Sequence, residues 1–404
     1  MPAAPRSLAK IGRGAQHIPA GAGDFWLRPA PEGEERMVSQ VLSADSHVLE
    51  PPDLWTTRMQ VRFRDRAPHL EHEFNGRKGD FLVCPPLGPF SPTRLGCAGV
   101  APEELERFGQ GGYAACRPGS WDPVERLKDM DFDGLGAEVF YCGYGMLLFS
   151  HPDEEFQRDA HRAYNDWAAE YASHAPRRLF PIANISMTDP AEDLKELHRV
   201  KRLGFRGIFI SNDPLPERRY DNPMWETFWT AVEEYDLPVN VHILTVQKGA
   251  QVGANPIVDG VVLPVPAFRA IAEMITAGVL EKHPNLKMVS VENDIGWIPN
   301  YLKRFDWYSY RFGPRYPQMK LSGGDYWRRQ VYATFQDDEP GMRCRDLIGV
   351  TQLMWGSDYP HFDSTFPKSR EAIERNFAGV PEDEMSLILR ENMVRVYNLQ
   401  DVLE

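Results

Sequence analysis

Five short apolar runs in this chain end in a histidine or a carboxylate. Val41-Leu42-Ser43-Ala44-Asp45-Ser46-His47 closes on Asp-x-His, with Glu50-Pro51-Pro52 just beyond. Pro238-Val239-Asn240-Val241-His242 closes on a histidine, and Lys287-Met288-Val289-Ser290-Val291-Glu292 runs into Asn293-Asp294. Gln330-Val331-Tyr332-Ala333-Thr334 leads to Gln336-Asp337-Asp338, and Leu353-Met354-Trp355-Gly356 to Ser357-Asp358-Tyr359-Pro360-His361. Alternate residues of a strand point the same way, so Asp45 and His47 would project together from one strand tip. Taken singly, each group has an ordinary reading. A histidine at a strand end sits at a rim, and an Asp after a strand caps the next helix, Asp294 being the clearest such cap. Taken together they form a ligand set, because carboxylates crowded into one mouth repel and a divalent cation is the usual compensation.

Other chemistries lack their residues. No Gly-x-Ser-x-Gly elbow presents a nucleophilic serine, and no Gly-rich loop precedes a helix to cradle phosphates. The five cysteines, Cys84, Cys97, Cys116, Cys142 and Cys344, form no CxxC pair and read as reduced thiols.

The elements that must carry these tips alternate regularly. After the first strand, about 41–45, the stretch from Trp55 to Trp121 is rich in Pro, Gly and charge. It reads as an insertion or lid, about 56–121, with β-like pieces such as Phe81-Leu82-Val83 and a turn-forming run, Leu87 to Pro92. From 122 onward helices alternate with strands at 137–141, 179–185, 205–210, 238–242, 287–292, 330–334 and 353–356. The Asp122-Pro123 and Asp189-Pro190 pairs start helices as cap and first turn. Counting the opening run gives eight strands, which predicts a (β/α)8 TIM barrel of the α/β class over 38–404. An open doubly wound sheet lacks its Gly-x-Gly-x-x-Gly. Residues 1–37 have no apolar period and read as an N-terminal arm, with Phe25-Trp26-Leu27 packing on the barrel or on another subunit.

Composition bounds the partners. A 42% hydrophobic fraction supports a large core in 404 residues, and a net charge of −13 argues against a nucleic-acid surface. No apolar run spans a bilayer, and no h-region follows the basic N-terminus, so a cytoplasmic protein with a small-molecule substrate is expected.

The tips also carry a resemblance. Asp45-Ser46-His47 with Glu50-Pro51, His242 at strand five, Gly296-Trp297-Ile298-Pro299 after strand six, and Trp355 to His361 at strand eight resemble the amidohydrolase-related family. This is the branch of metal-dependent hydrolases that includes aminocarboxymuconate-semialdehyde decarboxylase and aromatic-acid decarboxylases. The likeness covers about 41–400. It implies a divalent metal held by His47, His242 and Asp358, with Asp45 where many members carry His or Glu, and with Asp358 as proton shuttle. The metal would polarise a substrate oxygen and lower the pKa of a bound water.

One departure matters. Decarboxylase members have a histidine at the end of strand six, where this chain has Glu292-Asn293. No lysine ends strand four, so a carbamylated-lysine bridge is not expected. Asp45, Glu292 and Asp358 beside His47, His242 and His361 make a carboxylate-rich set for one or two ions, with zinc, manganese or iron all suited. Glu292, Asp358 and His361 are the candidate catalytic groups. The expected activity is metal-assisted hydrolysis or decarboxylation of a small carboxylate or amide. Two alternatives stand beside it: a di-metal oxygenase of the same fold, as in 2-aminoisobutyric acid hydroxylase, and a metal-poor subunit partnering an active homologue. Oligomerisation is expected, as a homo-oligomer or with such a homologue, with the aromatic helix 305–310 as the contact if it does not pack inward. Arg206, and Arg94 in the insertion, could meet an anionic group, though a surface or ion-pair role is the first reading of each.

Overall fold

The computed structural model describes residues 41–247, 255–262 and 264–403. The expected arm, with Phe25-Trp26-Leu27, lies outside them. Eight parallel strands stand side by side in chain order: β1 (Leu42–His47), β5 (Ala137–Tyr141), β6 (Leu179–Asn184), β7 (Gly207–Ile210), β8 (Val239–His242), β9 (Met288–Val291), β10 (Val331–Phe335) and β11 (Leu353–Trp355). Each coincides with a run read from the sequence. All are fully buried, as strands with helices outside and a packed interior must be.

The helices start where their caps dictate. Asp122 accepts the N–H groups of Val124 and Glu125 ahead of Pro123–Asp133, and Asp189 those of Ala191 and Glu192 ahead of Pro190–Arg202. Helix Glu154–Ala172 buries Phe156, Ala160, Ala163, Tyr164, Trp167 and Tyr171, one face at helical spacing.

The ring closes through residues of the candidate site. The Asp358 N–H donates to the Asp45 carbonyl at 2.8 Å, and the His47 N–H donates to the Tyr359 carbonyl at 2.7 Å. Gly356 permits this approach, since a Cβ there would lie 2.5 Å from the Asp45 Cβ and 2.9 Å from its backbone nitrogen. Arg126 braces the closure from outside. Its buried guanidinium holds Glu138 bidentately at 2.8 and 2.9 Å and donates to the Tyr359 carbonyl at 3.3 Å.

Between β1 and the Pro123–Asp133 helix the chain builds a three-stranded antiparallel sheet, β2 (His69–Phe74), β3 (Arg77–Cys84) and β4 (Leu87–Phe90). The first hairpin turns on Asn75-Gly76, both at positive φ, the backbone that a two-residue turn between twisted strands requires. The run from Leu87, expected as a turn, is mostly the edge strand β4. Leu82 and Cys84 place the small sheet in the main core, and Phe90 packs against it. Helix Ile298–Phe312 packs Ile298 and Leu302 inward but leaves Trp307 and Tyr310 58% and 77% exposed, so only part of its aromatic run is packing. Among the described residues no helix is long and apolar enough to cross a membrane.

Candidate metal centre

All six residues singled out as ligands meet at the C-terminal mouth of the barrel. One group of ligand atoms comes from Asp45, His47, His242 and Glu292, a second from His47, Glu292, Asp358 and His361. Within each, the atoms lie no more than 4.8 Å apart. His47 Nε2 is 3.6 Å from Asp45 Oδ1, 3.5 Å from Glu292 Oε2 and 3.6 Å from Asp358 Oδ1. His242 Nε2 is 2.9 Å from Glu292 Oε2, and His361 Nδ1 is 3.1 Å from Asp358 Oδ1.

The backbone decides which nitrogens face inward. His47 Nδ1 donates to the Cys142 carbonyl at 2.8 Å and His242 Nδ1 to the Ile243 carbonyl at 2.9 Å. With both protons committed, the two Nε2 lone pairs confront each other at 3.0 Å. That contact is repulsive unless a proton or a cation lies between them. Five further buried atoms have no hydrogen-bond partner among the described residues: Asp45 Oδ1, Glu292 Oε2, both Asp358 oxygens and His361 Nε2. Unpaired buried polar atoms are costly. A divalent ion is the group that a converging set of imidazole nitrogens and carboxylate oxygens fits.

Charge balance tells the same story. Burial pulls the His47 imidazole down, but Asp45 and Glu292 outweigh it and hold it up at about 9. Burial pushes the Asp358 carboxyl well above its usual range, with Glu292 and Asp45 adding repulsion. Burial would also raise Glu292, yet His242, His47 and His361 hold it below the ordinary carboxylate range. Burial and His47 keep His361 neutral. His47 and Asp358 are thus biased toward their protonated forms, as befits ligands that release protons on binding a metal.

The tips are held in costly backbone. Glu292 and Asp358 both adopt left-handed φ, 53° in each case, unusual for residues other than glycine. Asp294 does likewise at 54° and caps nothing. The next helix begins only at Ile298, and Asp338 takes the Ile295 and Gly296 N–H groups at 2.7 and 2.6 Å. Helix Ile298–Phe312 has no side-chain cap; Asp338, the N-cap of helix Glu339–Met342, instead holds the loop ahead of it.

Supporting residues complete the site, among them Gln336 and Glu50, which the sequence offers beside the ligand tips, and Thr334, which it does not single out. Thr334 Oγ1 and Gln336 Nε2 donate to Asp45 Oδ2 at 3.1 and 2.9 Å, and Thr334 Oγ1 also accepts the Glu292 N–H at 3.0 Å. Their signal in the sequence is two polar residues at strand spacing on the inward face of β10. Glu50 is buried and accepts three N–H groups from the loop after β5, described further below.

Beside the cluster lies a cavity of about 1170 Å³, lined by Glu292 and His361 from the barrel loops and by Phe90, Arg94 and Phe108 from the segment between β1 and β5. Arg94, read first as a surface or ion-pair residue, is thus part of that lining. Arg206 is outside the cavity, bonded to the Asn398 carbonyl and Asp401.

A parallel barrel whose strand tips gather imidazoles and carboxylates beside a cavity defines a metal-dependent barrel enzyme. Comparison with known proteins agrees. The profile of the family described as amidohydrolase matches residues 124–399. Gamma-resorcylate decarboxylase of Rhizobium radiobacter is 25% identical over 256 residues, covering 58% of this chain and 76% of the relative. Among solved structures, an amidohydrolase from Mycobacterium avium subsp. paratuberculosis K-10 superposes with a TM-score of 0.73 at 22% identity, over 89% of this chain and 99% of that one. A 5-carboxyvanillate decarboxylase from Novosphingobium aromaticivorans, complexed with manganese, reaches 0.64 at 18% identity, over 89% and 96%. The chain belongs to the amidohydrolase family, in the branch of aminocarboxymuconate-semialdehyde decarboxylase-like enzymes.

Proposed function

We propose that this protein is a divalent-metal-dependent carboxy-lyase that removes carbon dioxide from an organic acid held at the barrel mouth. The observation that carries the reading is the set of five partnerless buried ligand atoms around two Nε2 lone pairs 3.0 Å apart. Relatives named as decarboxylases, one solved with manganese, support the reaction and the metal. Asp45, His47, His242 and Glu292 would hold the ion, which supplies a Lewis acid for a substrate oxygen. Asp358, whose environment favours its protonated form, is placed to give a proton to the carbon that loses carbon dioxide. The exchange balances as R–COO⁻ plus H⁺ giving R–H plus CO₂. His361, 3.1 Å from Asp358 Oδ1 and lining the cavity, is the route by which that proton returns. The test is CO₂ release from 2,6-dihydroxybenzoate and 5-carboxyvanillate by manganese- or zinc-loaded protein, against chelated and Asp358→Asn controls. Turnover that consumes water and releases no CO₂ would replace the reading with hydrolysis.

A second reading rests on the two ligand groups that share His47 and Glu292. They suit two ions bridged by a carboxylate, and with iron or manganese such a pair suits oxygen chemistry. Two ions per chain together with acid-dependent oxygen uptake would move the assignment to a hydroxylase. A metal content near zero would favour the metal-poor subunit instead. The exposed aromatic face of helix Ile298–Phe312, with Trp307 and Tyr310, is our candidate contact between copies, checked by sedimentation of a Tyr310→Glu variant.

A further inference from the structure

The cavity over the metal centre is unevenly charged. Of its acids, Glu292, Asp294, Asp337 and Asp363 lie on loops that follow barrel strands, and Glu106 alone lies on the insertion. Its cations, Arg77, Lys78 and Arg94, come from the insertion. Those three side chains are exposed, and among the described residues none has an ion-pair or hydrogen-bond partner. Other arginines of the insertion are engaged: Arg58 holds Glu170, Arg62 holds Glu155 and Arg66 holds Asp153. In a chain of net charge −13, the insertion side of the cavity thus carries three cations to one acid, Glu106, against four acids on the barrel side.

Between the two sides the wall is apolar. Phe90 and Phe108 face it from the insertion, Ile243 and Phe362 from the barrel loops. Phe362 is 67% exposed and adds an open aromatic face to this wall. The volume of about 1170 Å³ exceeds the roughly 300–1,000 Å³ of pockets that take drug-sized ligands. A single-ring acid seated on the metal would leave most of the wall wet and would not reach the cations of the insertion.

We infer that the cavity takes an elongated amphiphilic dianion. Its reacting head sits at the metal centre, its apolar middle lies along Phe90, Phe108 and Phe362, and its second anionic group meets Arg94, with Arg77 and Lys78 beside it. Arginine suits that end because its planar fork pairs two oxygens at once. The inference rests on the proposed function only for what happens at the head.

The test is calorimetric titration of metal-loaded protein with decanedioate, decanoate and 2,6-dihydroxybenzoate, with metal content and thermal melts measured on the same samples. In wild type, decanedioate should bind more tightly than decanoate. Arg94→Ala should weaken decanedioate about tenfold, the worth of one charge-assisted contact, and leave decanoate within about twofold. Arg94→Lys should recover part of the loss, which a folding defect would not allow. Equal affinity of wild type for the two long acids, or equal weakening of both by Arg94→Ala, overturns the inference. So does tight binding of 2,6-dihydroxybenzoate with no binding of either long acid. Protein that carries metal but ignores Arg94 sinks this inference alone; protein that takes up no metal sinks the carboxy-lyase reading.

Discussion

The Glu50 carboxylate accepts the Gly143 N–H at 3.0 Å, together with those of Tyr144 at 2.9 Å and Gly145 at 3.0 Å. This one side chain ties the loop after β1 to the loop after β5. The residue before that trio, Cys142, offers the carbonyl that takes the His47 Nδ1 proton and so fixes which nitrogen His47 turns to the cluster. A Cβ on Gly143 would lie 2.5 Å from the Val48 carbonyl oxygen, so the loop can wrap this closely only because it is glycine there. Glu50→Gln keeps the volume but points an NH₂ at backbone donors, leaving at least one buried N–H unpaired at a cost of about 1–3 kcal/mol. The variant should melt several degrees lower and retain less metal, measured by calorimetry and elemental analysis. Unchanged metal content would remove Glu50 from the positioning of His47.

The same residue gives a pH signature. Burial pushes the Glu50 carboxyl up to about 6 from an ordinary 4.5, although the three N–H groups pull it back in part. A folded-state pKa raised above the unfolded value means stability present below about 4.5 and lost as pH rises through about 6. A difference of that size is worth about 2 kcal/mol. The glutamine variant has no proton to lose at this position. The stability gap between wild type and Glu50→Gln should therefore be widest near pH 4.5 and narrow by about 2 kcal/mol by pH 7 in denaturant titrations. A gap that widens with pH would reverse the assignment.

Most of the architecture was legible because period and punctuation agree. Eight apolar runs alternate with helical stretches, and Asp122-Pro123 and Asp189-Pro190 mark helix starts that the structure keeps. The six candidate ligands were legible as strand tips, and the barrel brings them together. What escaped was settled by neighbours distant in sequence. Asp294 caps no helix, and the loop beside it is held instead by Asp338, forty-four residues on. Thr334 and Gln336 look like ordinary polar residues until β10 is set beside β9, and Arg94 has no meaning until the insertion brings it to the cavity. The Asn75-Gly76 hairpin, by contrast, is local: the dipeptide takes the positive φ values that a two-residue turn requires.

Gly356 offers a test of ring closure. Its missing Cβ leaves room for the Asp45 backbone, with atoms of Asp45 at 2.5, 2.9 and 3.0 Å from where that Cβ would be. Gly356→Ala must separate β11 from β1 or bend both, an overpacking cost of roughly 1–3 kcal/mol. The hydrogen bond from the Asp358 N–H to the Asp45 carbonyl spans the same seam, so both ligands would shift. The variant should lose stability and metal together, read by melting and metal analysis. Loss of stability with full metal occupancy would show the seam to be independent of the site.

The Arg126–Glu138 pair braces that seam at zero exposure of either side chain. Removing one partner strands a buried charge, which typically costs about 3–5 kcal/mol. Glu138→Gln should therefore be among the most damaging single-atom exchanges in the chain, visible as a drop in denaturation midpoint. Replacing both, as Arg126→Met with Glu138→Leu, should recover a large share of the loss. Failure to recover it would assign the cost to the Tyr359 and Gly119 carbonyls that Arg126 also serves.

Asp358→Asn separates what the site costs from what it does. Asparagine matches the aspartate in volume and tolerates the left-handed backbone at φ 53°. It removes a carboxyl with two partnerless oxygens, buried beside Glu292 and Asp45. In chelator, then, the variant should melt at the wild-type temperature or slightly above it, the mark of a group kept for function at the expense of stability. With metal at about a hundred times its dissociation constant, wild type should gain roughly 2.7 kcal/mol by mass action. The variant should gain less to the extent that the group of His47, Glu292, Asp358 and His361 also holds an ion, because one ligand of that group is gone. A variant that melts well below wild type in chelator would show Asp358 to be a structural residue, and one that keeps the full metal-induced gain would remove it from the ligand set.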